Sequence, residues 1–275
     1  MNKFFLNYGI NTLRVLGLVN YIILLINTIL KMKKIIQQKK LIPIDNTFKK
    51  ISLKLNKNKF FINIEKINNL CQETDTFGLI REIFFRNVYL KDLNQEDFKK
   101  TICIDLGSNK GIFSVIASKT FKFVICVDFQ KKFNKCIDEI MSSNNQKNYE
   151  IINGVMGNLE FPEISNKSAL NQRILNLNEL IINKTNGEKI FLKIDIEGGE
   201  FKLFDEIDLK LVDIIVMEVH IYLEEIQHHY DINDLKKILD KLNNNGFKYL
   251  CFSENLDEVN YPDKGISFVK AVKKH

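Results

Sequence analysis

The sequence predicts an α/β protein: a mostly parallel sheet with helices on both faces, plus an N-terminal helical extension. Three observations carry this. From Thr101 onward, short apolar runs alternate with segments of helical periodicity. The first of these, CIDLGSNKGIFSV at 103–115, reads as a strand, a glycine turn and a helix start. The chain has 275 residues, 45% hydrophobic and 27% charged, enough for one large domain or a domain with a small extension.

The elements follow in order. Residues 102–106 read as a strand and 111–119 as a helix. A second strand, 123–127, ends at Asp128 and is followed by a helix at 131–141. Strands at 150–153 and 190–194 come next, then a helix at 199–207. A fifth strand occupies 214–219, and a helix at 231–244 is closed by Gly246. Residues 249–252 and 266–271 finish as an antiparallel pair. Ligands of such sheets sit beyond the C-terminal strand ends. The segments to inspect are therefore 105–111, Asp128, 153–155, 195–200 and 218–220.

Three parts are expected: an N-terminal apolar helix over 1–34, a cap or linker over 35–100, and the main domain over 101–275. Residues 1–60 carry twelve Lys/Arg and only Asp45, a charge of +11, which leaves −5 on the remainder of a +6 chain. The basic face thus belongs to the extension. Its longest apolar run, VLGLVNYIILLINTIL at 15–30, is short for a bilayer span of about 20 residues. Gly17, Asn20, Asn27 and Lys31 fall near one helical face, with a broad apolar face opposite. Lys31, Lys33, Lys34, Lys39 and Lys40 flank it, and no small-residue cleavage site follows. The segment spans with the body in the cytoplasm, lies on anionic lipid, or packs on the body or a second copy. A membrane surface is thus one candidate partner, through residues 10–34. Nucleic acid is not expected, because no RNA-binding motif accompanies the basic residues. Between 41 and 64 lie short β-like patches, and 77–90 has loosely helical spacing. Five cysteines without a CxxC suggest neither a disulfide framework nor a zinc site, and the expected location is cytoplasmic.

The glycine loop fixes the class of ligand. Its spacing is wrong for a P-loop. A dinucleotide fold wants GxGxxG, whereas Asn109 and Ile112 stand in the second and third glycine positions. The loop is GxNxG after Asp105, which suits a ligand with an amino-acid end. Backbone N–H groups would take its carboxylate and Asp105 would orient its ammonium. Asp128 stands where a carboxylate accepts both ribose hydroxyls, or simply caps the next helix.

IDLGSNKGIFS and LKIDIEGGE, with IIVMEVH at 214–220 as a weaker third element, together resemble the FkbM family of S-adenosylmethionine (SAM)-dependent methyltransferases. The resemblance covers about 101–272. It implies a class I methyltransferase (Rossmann-like) fold with SAM as cofactor. Gly107, Asn109 and Gly111 would cradle the methionine part beside Asp105, Asp128 would hold the ribose, and Asn153 and Val155 would flank the adenine. It also implies O-methylation of a hydroxyl, with a small-molecule or saccharide acceptor.

Among the acidic and imidazole groups at the strand ends, Asp195, His220 and Glu197 are the candidate catalytic residues, one of them taking the acceptor's proton. His220 is favoured as base by its ordinary pKa, Asp195 by its motif. Glu200 is expected to accept backbone N–H bonds in its own turn. Lys193, inside a strand, needs an acidic neighbour. His228 and His229 read as a solvated loop, and no metal site is expected. Two other functions stay open: a catalytically silent SAM-fold binding or membrane-tethered module, and a nicotinamide-dependent oxidoreductase. The acceptor pocket is expected from 35–100 and from an insertion at 160–184.

Overall fold

The computed structural model describes residues 3–38, 41–45, 47–157, 173–221, 230–254, 257–259 and 265–274. Packing divides the chain into two compact units. The first comprises 1–91, 109–119 and 131–147; the second comprises 92–108, 120–130 and 148–275. The sequence boundaries at 34/35 and 100/101 follow pattern, whereas these units follow packing, so two helices from within 101–275 are counted with the first unit.

That first unit contains α1 (Lys3–Leu16), α2 (Leu18–Gln38), α3 (Ile42–Asp45), β1 (Ile51–Leu55), β2 (Asn58–Ile62), α4 (Ile64–Cys71), α5 (Thr76–Ile80), α6 (Ile112–Thr120) and α7 (Lys132–Ser143). The continuous helical face expected through Gly17 is broken there. Gly17 has φ +75° and separates α1 from α2, a conformation glycine adopts without steric cost. Asn20 and Asn27 donate back to the Leu16 and Ile23 carbonyls at 3.3 and 3.0 Å. Lys31 Nζ donates to Pro43 O at 2.9 Å and Thr47 Oγ1 at 2.7 Å. Leu18, Ile22, Leu25, Ile26 and Ile29 of α2 are exposed. Among the described residues no helix is long and apolar enough to cross a membrane, so the spanning reading has no helix to carry it.

The β-like patches are the hairpin β1–β2, in which Ile51 faces Ile62 and Leu55 faces Asn58. Asn144, after α7, completes its edge with a side-chain amide. Nδ2 donates to Phe61 O at 2.7 Å and Oδ1 accepts Phe61 N at 2.9 Å. The loose spacing at 77–90 has a physical cause: α5 runs into a π-helical turn, Arg81–Arg86. The wider turn shifts the inward face and lets the neighbours Phe84 and Phe85 both be buried. Buried Asp45 secures the start of α5, accepting Phe77 N at 2.7 Å, Thr76 N at 3.0 Å and Asn68 Nδ2 at 2.9 Å.

The second unit is built on eight strands: β3 (Ile102–Leu106), β4 (Phe123–Asp128), β5 (Tyr149–Asn153), β8 (Ile190–Ile194), β9 (Ile214–Ile221), β10 (Phe247–Ser253), β11 (Glu258–Val259) and β12 (Gly265–Lys273). Their order is β11-β10-β12-β9-β8-β3-β4-β5. β5, β4, β3, β8 and β9 run parallel, and β12 is antiparallel to both its neighbours. β3 and β8 are buried at every position, which is why they read as unbroken apolar runs. The strand order turns at β3, between β4 and β8, the switch point where open α/β sheets hold ligands. β6 (Val155–Met156) and β7 (Ile174–Leu175) form a separate pair. Among the described residues, the α-helices of this unit are α8 (Leu177–Thr185), α9 (Glu200–Glu206) and α10 (Ile232–Asn244). Its core joins Ile104, Leu192, Ile215 and Met217 of the sheet to Phe201, Phe204, Leu235 and Leu239 of the helices. A mostly parallel sheet flanked by helices, in this order, is the class I methyltransferase fold.

One strand differs from expectation in a way that matters. β9 runs to Ile221 because β12 pairs with it from Ile214↔Val272 to Gly265↔Ile221, while β8 reaches only Met217. His220 therefore lies within a strand, on a stretch of β9 that extends past the end of β8. The five cysteines are free and buried, with burial pushing Cys136 to about 12 and Cys251 to about 11. Residues 160–172 of the expected insertion, and His228 and His229, lie outside the described residues.

Candidate active site

The glycine turn after β3 is closed by its own backbone. Gly107 N and Ser108 N both donate to Val127 O, at 2.9 and 3.1 Å, and Ser108 Oγ donates to Asp105 O at 2.7 Å. These two N–H groups are thus engaged within the turn itself. Gly107 has φ +73°, and a Cβ there would lie 1.7 Å from the Asp195 carbonyl oxygen. The two motifs of the sequence therefore meet backbone to backbone, and Asp195 N donates to Leu106 O at 3.2 Å. Asn109 and Gly111 belong to the first unit. Asn109, at φ +47°, accepts Lys110 N at 2.8 Å through its own side chain. A Cβ on Gly111 would crowd Ile137 of α7 at 3.1 Å, so this glycine allows close helix packing.

Lys193 is the buried hub beside the turn. Its Nζ lies 3.2 Å from both Asp105 Oδ1 and Asp195 Oδ2, and donates to Gly107 O at 2.9 Å. Burial alone would lower its pKa, but Asp105 and then Asp195 outweigh this and raise it, so the ammonium persists. The expected acidic neighbour is thus two carboxylates. Asp105 is fully buried against this ammonium.

Next along the strand ends is His220. Its Nδ1 lies 2.6 Å from Glu200 Oε1, which also accepts the His220 backbone N–H at 3.0 Å. Nε2 faces Glu218 Oε1 at 3.5 Å and Glu197 Oε2 at 3.7 Å. Burial would favour neutral imidazole, but Glu200 and then Glu218 push the pKa up to about 11. At neutral pH His220 is therefore already protonated, which removes the advantage claimed for it as a base. Glu200 reaches β9 instead of capping its own turn, contrary to expectation. Glu197 has φ +51°, followed by Gly198 at φ +92°, so the EGGE turn is held in left-handed backbone. Its pKa is raised by burial and by Asp195. Since its side chain is 80% exposed, solvent weakens the burial effect and the like charge of Asp195 is the firmer cause.

Asp128 ends β4 and accepts Gln130 N at 2.8 Å, so one of its oxygens shapes the following turn. Asn153 lies opposite it at the end of β5 and donates to Asp128 O at 3.0 Å. Asp105, Gly107, Asp128 and Asn153 thus share the C-terminal edge of β3, β4 and β5. Val155 is buried in the β6–β7 pair, with its N–H donating to Arg173 O at 3.0 Å. A cavity of about 400 Å³ lies along edge strand β5, lined by Glu150, Arg173, Leu175 and Lys184; of the predicted cofactor residues only Asn153 reaches it. It is distinct from the carboxylate cluster. Glu218, which the sequence already placed among the strand-end groups weighed for the base, and Lys193, read there as a buried charge in need of an acidic partner, complete that cluster. The alternation of Glu218 and His220 on one strand was the signal for the first.

Residues 105–249 match the Methyltransferase FkbM domain, more than half of the chain. No curated protein sequence matches it. Among solved structures, an rRNA methylase from Streptococcus thermophilus is similar at 11% identity and TM-score 0.40, over 64% of this chain and 89% of that one. A precorrin-6y C5,15-methyltransferase from Geobacter metallireducens shares 10% identity at TM-score 0.38, over 65% and 84%. The 23S rRNA methyltransferase ErmE shares 8% at TM-score 0.40, over 76% and 68%. With rRNA methyltransferases among the similar structures, the expectation that nucleic acid plays no part is withdrawn.

Proposed function

Because this chain belongs to the FkbM methyltransferase family, with SAM as its methyl donor, we propose that the acceptor atom is a hydroxyl oxygen. The observation that carries this reading is the convergence of Asp195, Glu197 and Glu218 around His220, beyond the end of β8. In the transfer, the methyl carbon leaves sulfur and bonds to oxygen, SAM becomes its thioether, and the hydroxyl proton has to go to a base. Carboxylates at that place bind the hydroxyl and accept the proton.

Glu197 suits the base best. Its raised pKa brings it closer to neutral pH, and it is exposed enough to exchange the proton with solvent. Asp195 is paired with Lys193, which makes it a weaker base and a better orienting group. His220, charged and fixed by Glu200, lends the site positive charge. For the cofactor, Asp105, Gly107, Asn109 and Gly111 are assigned to the methionine end, Asp128 to the ribose, and Asn153 and Val155 to the adenine. Residues 101–275 are the catalytic domain of this reading, with 1–34 and 35–100 as its N-terminal extension and cap.

The test uses SAM labelled in the methyl group, offered to pools of sugars, hydroxylated small molecules and RNA, with mass spectrometry locating the label. Label on oxygen is expected. Glu197→Gln should lower turnover on the order of a hundredfold while SAM affinity is nearly kept. Label on nitrogen or carbon, or full turnover in the variant, would sink the reading.

A further inference from the structure

We propose that Asp195, Glu218 and His220 bind one divalent cation, with Glu200 as the positioning residue behind His220. Side-chain donor atoms of these three lie within 4.8 Å of one another. Donors about 2.1 Å from a common ion sit roughly 3–4 Å apart, so small side-chain rotations close the set.

The arrangement around His220 is that of a metal-ligating imidazole. Such a histidine almost always passes its second ring N–H to a carboxylate, a backbone carbonyl or water, which fixes the tautomer and the ring plane. Glu200 does this twice over, holding Nδ1 at 2.6 Å and the residue's own backbone N–H at 3.0 Å. That leaves Nε2 as the ring nitrogen turned to Glu218 and Glu197. Glu200 is fully buried, and its Oε2 has no hydrogen-bond partner among the described residues. A buried carboxylate used only to aim a ring is costly for stability alone. It is accounted for if the ring ligates an ion.

Charge points the same way. Among the described residues, the ion pairs of this cluster join five carboxylates (Asp105, Asp195, Glu197, Glu200 and Glu218) to two cations, Lys193 and His220. Three negative charges remain, with Asp105, Glu200 and Glu218 all buried. A cation replacing the proton on Nε2 relieves this excess. Two carboxylates and one imidazole are hard to borderline donors, which suit Mn²⁺ or Mg²⁺ better than a thiolate-seeking ion. Three protein donors leave open positions. On the methyltransferase reading above, the acceptor hydroxyl fills one, and the ion lowers its pKa and orients it.

The experiment is Mn²⁺ titration of the full chain without SAM or acceptor, followed by electron paramagnetic resonance and calorimetry. One tightly held ion is expected, weakened tenfold or more by Glu218→Gln and by Asp195→Asn, and severalfold by Glu200→Gln. Circular dichroism checks each fold. Should Glu218→Gln unfold, Asp195→Asn decides, since Asp195 is only partly buried. SAM affinity is measured separately on the wild type. SAM binding without Mn²⁺ binding, or variants that hold Mn²⁺ as the wild type does, overturns the cation site and leaves the methyltransferase reading standing. Mn²⁺ binding without SAM binding does the reverse.

Discussion

Gly107 shows how much one absent side chain decides. Its Cβ would overlap the Asp195 carbonyl, and its φ is positive as well. Gly107→Ala must therefore push apart the two segments that carry the site. A loss of about 3 kcal/mol is expected, with weaker SAM binding, read from thermal melts and calorimetry. A melting point within roughly 2 °C of wild type would contradict this. Asp128→Ala should weaken SAM by about 1.5–3 kcal/mol if its carboxylate holds the ribose hydroxyls. Unchanged affinity in a folded variant would reduce Asp128 to the turn-shaping role seen with Gln130. Asp195 and Glu197 were legible as the residues that follow the end of β8, whereas His220 stands inside β9, one residue past where the sequence reading ended that strand. The partner of Lys193 was legible because a buried charge demands one. The protonation of His220 was not, since it depends on Glu200, twenty residues away in sequence and brought close only by the fold.

Elements were readable in proportion to how ordinary their surroundings are. β3 and β8, buried throughout, announce themselves as apolar runs with turn residues after them. α10 announces itself by its cap. Asp231 accepts the N–H groups of Asn233 and Asp234, and Asp234 answers by accepting the Asp231 N–H. Asp231→Ala should cost about 1 kcal/mol, measured by urea unfolding, with Asp231→Asn losing much less. Equal losses in the two variants would refute capping as the cause. Where the spacing departs from 3.6, reading fails: the π-helical turn at Arg81–Arg86 and the break at Gly17 both hide inside apolar segments. The end of β9 was misplaced for another reason. Its last residues are held by β12 alone, a pairing no local pattern reveals.

At the scale of the whole molecule, the alternation of strands and helices gave away the class of fold, but not the packing of α6 and α7 with the first unit. Asn144 meets Phe61 across 83 residues of chain, and no periodicity encodes such a distance. β12 makes a similar long-range demand. It lies between β9 and β10, and buries Phe268, Val269 and Ala271. Removing residues 257–275 should therefore leave two open edges and an emptied core, giving insoluble protein without a cooperative melt. A soluble truncated chain with an unchanged melt would show that the sheet closes without it.

The same insertion sets an order of events during synthesis. β9 and β10 leave the ribosome before the strand that belongs between them. At roughly 5–20 residues per second, the stretch from Ile221 to Lys273 takes several seconds to make. For that interval Glu218 and His220 stand on a strand with an unpaired flank, their carboxylate cluster not yet framed. The nascent chain can assemble β3, β4 and β8 early, but the face where the chemistry is placed matures last. A chaperone that shields open strand edges would have its clearest work there, and a pause in translation just before residue 265 would lengthen the exposure.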